Sequence, residues 1–260
     1  MSLSPSKIKN IEDVLRNSLR NKFQNYEPEP SSMPFHARLL GKDRLALYSF
    51  IHSMSTNFGT SIFEPVAVIL AKGNFKIVRS HISVGNSISV RAQAEIQGIM
   101  DALTTATAIP DKEKETQTIR SVCNNGNMVR VKPTLVDVFL EDDKGALYLF
   151  DLKTAKPNVG SFKEFKRTLL EWVAVTLASN PMVEVNTLIA IPYNPYGPEH
   201  YNRWTMRGML DLNKELKVAE EFWDFLGGAG TYQELLDCFE RVGIELCPEI
   251  DSYFDRFNRS

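Results

Sequence analysis

Cysteine is sparse in this 260-residue chain. Cys123, Cys238 and Cys247 are odd in number and show no metal-ligand spacing. That excludes a disulfide scaffold or zinc ribbon and suits reduced thiols in a cytoplasmic protein. The four histidines are scattered. No apolar run approaches the roughly 18 residues that a membrane-spanning helix needs. The opening MSLSPSKIKNIEDVL lacks the apolar block of a signal peptide. No phosphate-cradling Gly-rich loop occurs, which argues against an ATP-dependent enzyme. Nothing supports a Ser-His-Asp or Cys-His nucleophilic site. Basic excess is also missing: 30 Lys and Arg against 32 Asp and Glu give a net charge of −2. The chain is therefore no generic nucleic-acid coat. Acidic surface elsewhere can still cancel a basic cleft.

What is present is an ordinary globular composition, 43% hydrophobic and 24% charged, with length enough for a sizeable core. Helical spacing of Ile8, Ile11, Val14, Leu15 and Leu19 predicts a helix over 6–25. Glu27–Pro34 reads as a connector, 41–54 and 61–72 as helices, 75–90 as short strands, and 91–106 as a helix stopped by Pro110. The run DKEKETQ (111–117) reads as a solvated face or loop. TLVDVFL (134–140) and ALYLFDLK (146–153) read as strands joined by the turn EDDKG. A helix over 161–178, a strand over 183–191 and a Pro/Tyr/Asn-rich loop over 192–204 follow. The remainder reads as helices at 212–226, 231–242 and 249–257, broken at Gly227–Gly228 and Pro248. With no repeat and no clear linker, the expectation is one α/β domain over 1–260. It has a mixed β-sheet core flanked by helices and a helical C-terminal third.

Chemistry concentrates in the hairpin at 134–153. A turn centred on Lys144 sets Asp137 opposite Asp151 on adjacent strands, with Cβ atoms about 5 Å apart. Side chains alternate along a strand, so Lys153 shares the face of Asp151. Two opposed carboxylates among Leu135, Val136, Val138, Leu149, Phe150 and Leu152 repel each other at a partly buried position. A divalent cation such as Mg²⁺, which accepts a few carboxylates and leaves room for water and phosphate, resolves that conflict. A solvated Asp-x-Lys ion pair is the structural alternative. An Asp in the middle of TLVDVFL is hard to account for that way.

Asp137, a short turn and Asp151-Leu152-Lys153 resemble the PD-(D/E)xK nuclease motif, with Pro133 four residues before the first Asp instead of adjacent to it. Three stretches, 35–67, 137–172 and 225–254, resemble the TdeIII-type family of type II restriction endonucleases. The resemblance implies Mg²⁺-dependent hydrolysis of phosphodiesters in double-stranded DNA, at a short palindrome of the GGNCC kind. It implies catalytic roles for Asp137, Asp151 and Lys153. It also implies a further metal carboxylate from an early helix, for which Glu64 in TSIFEPVAV is the first candidate and Glu95 and Glu171 are weaker ones. A helix-start carboxylate next to Pro65 is the structural alternative for Glu64. For DNA, Lys156, Lys163, Lys166 and Arg167 follow the active strand and can meet phosphates. Asn194, Arg203 and Arg207 stand in or beside the polar loop, where Arg and Asn can read base edges. Each is equally compatible with an ordinary solvated surface. A palindrome implies a two-fold homodimer, with either the N-terminal helices or the C-terminal third at its interface. A PD-(D/E)xK nuclease of repair or recombination, or a non-catalytic DNA-binding protein of the same fold, are the competing readings.

Overall fold

The structure, a computed structural model, describes residues 3–26, 33–153, 155–157, 159–201, 206 and 208–258. In chain order the helices are α1 (Pro5–Asn25), α2 (Pro34–Leu40), α3 (Lys42–Phe58), α4 (Glu64–Ala71), α5 (Val90–Thr104), α6 (Lys112–Val122), α7 (Phe162–Ser179), α8 (Glu220–Gly227) and α9 (Thr231–Asn258). The strands are β1 (Ile77–Ser83), β2 (Ser87–Ser89), β3 (Met128–Arg130), β4 (Leu135–Glu141), β5 (Leu147–Leu152), β6 (Val185–Ile191) and β7 (Leu216–Val218). They group into two compact units, Met1–Ile69 with Gly228–Ser260, and Leu70–Gly227.

The first unit is helical. The Ser4 hydroxyl accepts the Lys7 N–H and Pro5 occupies the first turn, a start that satisfies an orphan donor of α1. Buried Ile11 and Leu15 form its inner face. Along α1 and α9 the pairs Glu12–Arg241, Arg16–Glu245 and Arg20–Glu249 keep one constant offset, so the two helices run parallel. Phe23, Phe50 and Tyr253 stack beside this ladder, ring centroids 4.9–5.8 Å apart. These contacts correct one expectation. Pro248 does not end a helix; it lies inside continuous α9. A proline removes one backbone hydrogen bond. Here Glu245 and Glu249 are tied to α1 on either side of it, and Tyr253 is buried beyond, which holds both halves in line.

The second unit carries a five-stranded mixed sheet in the order β1-β4-β5-β6-β7. The β1/β4 and β4/β5 pairs are antiparallel, β5/β6 and β6/β7 parallel. Apolar Leu169, Leu170, Trp172 and Val173 of α7 join Ile96 and Met100 of α5 and Ile119 of α6 in a core that includes Leu149 and Ile189 of the sheet. From α8, Phe222 packs on Phe150 (5.3 Å), and the Trp223 indole donates to the Pro192 carbonyl (2.7 Å). Leu149 and Phe150 point to opposite faces, so helices flank the sheet on both sides, as the sequence predicts. β2 and β3 pair as a separate ribbon. No helix among the described residues is long and apolar enough to cross a membrane.

Two further expectations are corrected in this unit. Residues 112–122 form α6 instead of a solvated loop. Asp111 caps it, accepting the Lys114 N–H, and its charged run is amphipathic: Lys112 and Glu115 are buried. They meet Lys166 of α7 and Glu215 in a buried cluster of two cations and two anions. Lys166 pairs with Glu115 and with Glu215 (2.7 Å), and Lys112 with Glu215 (3.4 Å) and the Thr187 hydroxyl. Burial is the first cause of both shifts within it, holding the Lys112 ammonium below its ordinary range and pushing the Glu115 carboxyl up. Second, 212–226 is not one helix. Leu216 pairs beside Ile189, and the Ala219 N–H donates to the Ile191 carbonyl, before α8 begins. A three-residue edge strand is too short to show a period.

Candidate functional site

The β4–β5 connection is a tight turn that sets the register of everything beyond it. The Asp142 carboxylate accepts the N–H groups of Lys144 (2.9 Å) and Ala146 (2.8 Å), and Gly145 takes φ +85°, a left-handed conformation that suits glycine. From that turn Glu141 faces Leu147 and Val138 faces Phe150. One step further, Asp137 comes opposite Asp151. There the backbone ladder gives way to a side chain, because the Asp137 Oδ2 accepts the Leu152 N–H at 2.8 Å. The Lys153 ammonium lies 2.6 Å from the Asp151 Oδ1 and 4.7 Å from the centre of the Phe165 ring of α7. The Lys153 N–H donates to the Ala190 carbonyl of β6 (2.9 Å), which anchors the strand end carrying it.

The three side chains therefore meet at the end of the two central strands. Asp151 is buried, Asp137 half-buried, and Lys153 partly open. The Asp151 carboxyl is pushed up to about 6. Burial is the main cause; Lys153 opposes it, and the charge and hydrogen bonding of Asp137 reinforce it. Two carboxylates against one ammonium leave an anionic, oxygen-lined point that solvent reaches poorly. A hard divalent cation fits this donor set.

Glu64 heads α4 in the first unit and is buried. Glu95 is half-buried on α5. Glu171 is half-buried on α7 with its carboxyl raised, chiefly by burial. Lys156 is exposed, its ammonium 5.5 Å from the centre of the Tyr196 ring, and Lys163 is exposed in the first turn of α7. Arg167 is half-buried and donates to the Gln97 Oε1 (2.8 Å). Asn194 is committed to its own loop: its Nδ2 donates to the Glu199 carbonyl (2.7 Å) and its Oδ1 accepts the Tyr196 N–H (3.0 Å). Arg203 and Arg207 lie outside the described residues.

Lys166 is a correction. It is fully buried between Glu115 and Glu215 and presents no charge to a phosphate. The signal was available, since Phe162, Lys166, Leu169, Leu170 and Val173 fall at helical spacing and put Lys166 on the apolar stripe. His81 is an omission. It stands between Ser80, which faces Val138, and Ile82, which faces Val136, and therefore opposite Asp137. Only the pairing of β1 with β4 brings it there, and nothing local in the sequence marks that pairing.

Comparison with known proteins bears on this site. A family model described as "Type II restriction endonuclease, HinfI" matches residues 4–243. The match is thus to HinfI, whereas the resemblance drawn from the sequence was to the TdeIII-type family. The chain is 28% identical to the type II restriction enzyme MjaII of Methanocaldococcus jannaschii, over 99% of this chain and 75% of that protein. It is 25% identical to the type II restriction enzyme HgiCII of Herpetosiphon aurantiacus, over 84% of this chain and 80% of the relative. HgiBI of the same organism is also 25% identical, over 90% and 87%.

Proposed function

The chain belongs to the HinfI family of type II restriction endonucleases, and from that premise we propose that the end of the β4–β5 hairpin is its active site, of the PD-(D/E)xK kind, cutting double-stranded DNA with Mg²⁺. The observation that carries the reading is the meeting of Asp137, Asp151 and Lys153 on adjacent central strands. Asp137 and Asp151 would hold the cation, and by the sequence reading Glu64 adds a carboxylate. When bound, Mg²⁺ supplies a positive charge against the scissile phosphate and acidifies a water. The residues do the rest. Lys153, steadied by Asp151 and the face of Phe165, holds an ammonium where a phosphate oxygen or an attacking water would sit. Desolvation around Asp151 strengthens each of these interactions. Lys156 and Lys163, both exposed, follow the active strand and would meet the sugar-phosphate backbone, which positions DNA without reading it.

The substrate we propose is a short palindrome of the GGNCC kind in cytoplasmic DNA. Phage DNA incubated with the protein and Mg²⁺ is expected to yield discrete fragments whose sequenced ends share one palindrome. A smear, or cutting confined to branched or damaged DNA, would favour a repair or recombination nuclease instead.

We further propose a homodimer, and the first unit offers a surface for it. Phe35 and Leu39 of α2 are 85% and 82% exposed, and Tyr48 and Ile51 of α3 are 60% and 54% exposed. Within each helix the two residues lie three or four apart and so share a face. Exposed apolar patches of this kind commonly mark interfaces. The double variant Leu39→Glu, Ile51→Glu should sediment as a monomer where the native chain sediments as a dimer. Unchanged sedimentation of the variant would place the interface elsewhere.

A further inference from the structure

We propose that His81 is a third side chain of the metal site, giving an imidazole nitrogen to the cation held by Asp137 and Asp151. The inference rests on the reading of the hairpin as a metal site. Register is its first support. Directly opposed residues of antiparallel strands project to one face. Ser80 faces Val138 and Ile82 faces Val136, which sets His81 across from Asp137. The β4–β5 register sets Asp151 across from Asp137 on the other side. The three residues thus form one row over three neighbouring strands.

Distance is the second support. A ring nitrogen of His81 lies within 4.8 Å of an Asp137 carboxylate oxygen. Two donors about 2.1 Å from a shared cation stand at most about 4.2 Å apart. A small side-chain movement closes the difference, and exposed His81 has room for it. Backbone is the third. His81 takes φ +51° inside a strand. A left-handed residue interrupts the extended run, and such conformations concentrate at functional sites.

An imidazole changes which ion the site prefers. Two carboxylates alone suit hard Mg²⁺ and Ca²⁺; adding a nitrogen donor raises affinity for Mn²⁺ and Co²⁺ more than for Mg²⁺. The test is Mn²⁺ binding to the full chain without DNA, followed by pulsed electron paramagnetic resonance. The native protein should show nitrogen modulation from a coordinated imidazole. His81→Asn should lose it, because asparagine accepts the same φ but carries no imidazole. The Mn²⁺ dissociation constant should rise by about tenfold or more, at least the cost of losing a supporting residue, while the Mg²⁺ constant, read by competition, changes less. If His81→Asn does not fold, His81→Gly keeps the backbone conformation and takes its place. Unchanged modulation and Mn²⁺ affinity in the variant would overturn the role of His81. The hairpin would still stand if Asp151→Asn weakens Mn²⁺ binding. If the native chain binds no Mn²⁺, or Asp151→Asn binds it as tightly, the hairpin reading fails and the His81 proposal fails with it.

Discussion

Asp137→Asn and Asp151→Asn should each lower single-turnover cleavage by roughly a thousandfold or more while leaving DNA binding in place. Each substitution keeps shape and removes a charged ligand. The cation is asked for several kcal/mol of transition-state stabilisation, and about 1.4 kcal/mol corresponds to tenfold in rate. Affinity for DNA comes largely from phosphate and base contacts, so anisotropy titrations without metal should give a dissociation constant equal to the native one or tighter, as a phosphate then meets less negative charge. Lys153→Ala should also abolish cutting, but with Mg²⁺ binding retained, since its ammonium is a neighbour of the carboxylates and not a ligand. Native cutting rates in the Asp151 and Lys153 variants would remove the active site from this hairpin. Loss of the folded state in both would return Asp151–Lys153 to the status of a structural ion pair.

Lys166→Ala should destabilise the protein by about 3–5 kcal/mol, the usual cost of removing one partner of a buried ion pair. The ammonium is fully buried against two carboxylates. Without it, Glu115 and Glu215 stay buried with Lys112 as the one remaining cation of the cluster. A charge-balanced change, Lys166→Met with Glu115→Gln, should recover much of the loss, because no excess anion is left inside. Urea denaturation measures both. A surface lysine would behave otherwise: its removal would change stability little and lower the salt dependence of DNA binding. A Lys166→Ala variant of native stability with a shallower salt slope would restore the phosphate-contact role that burial denies it.

Lys166 also shows where reading from sequence stops. The hairpin was legible because its logic is local. The turn at Asp142–Gly145 sets the register, and the register sets Asp137 against Asp151. The buried cluster was not legible as a cluster, because Lys112, Glu115, Lys166 and Glu215 come from α6, α7 and the lead into β7; helical spacing puts Lys166 on an apolar stripe but does not name its partners. His81 was hidden for the same reason: its place depends on pairing β1 with a strand some fifty residues later. Pro248 misled in the opposite sense. Its local preference to end a helix is real, but the α1 ladder overrides it. The β7 segment was missed because its partners are all on β6 and three residues carry no period of their own.

The mixed topology has a consequence for the order of assembly. Closing a loop costs more chain entropy as it lengthens. The β4–β5 hairpin closes through residues 142–146, whereas β1 reaches β4 across residues 84–134 and β5 reaches β6 only after the whole of α7. The most local pairing in the sheet is thus the one that opposes the two aspartates, and it can form while both are still in water. Their burial waits for β6, which docks Ile189 beside Asp151 and takes the Lys153 N–H at Ala190. A nascent chain would therefore carry the carboxylate pair early, in a solvated and chemically weak form. With the active site proposed at this hairpin, catalytic strength would arrive only with the last parallel strands, which would tie the appearance of a DNA-cutting activity to completion of the sheet.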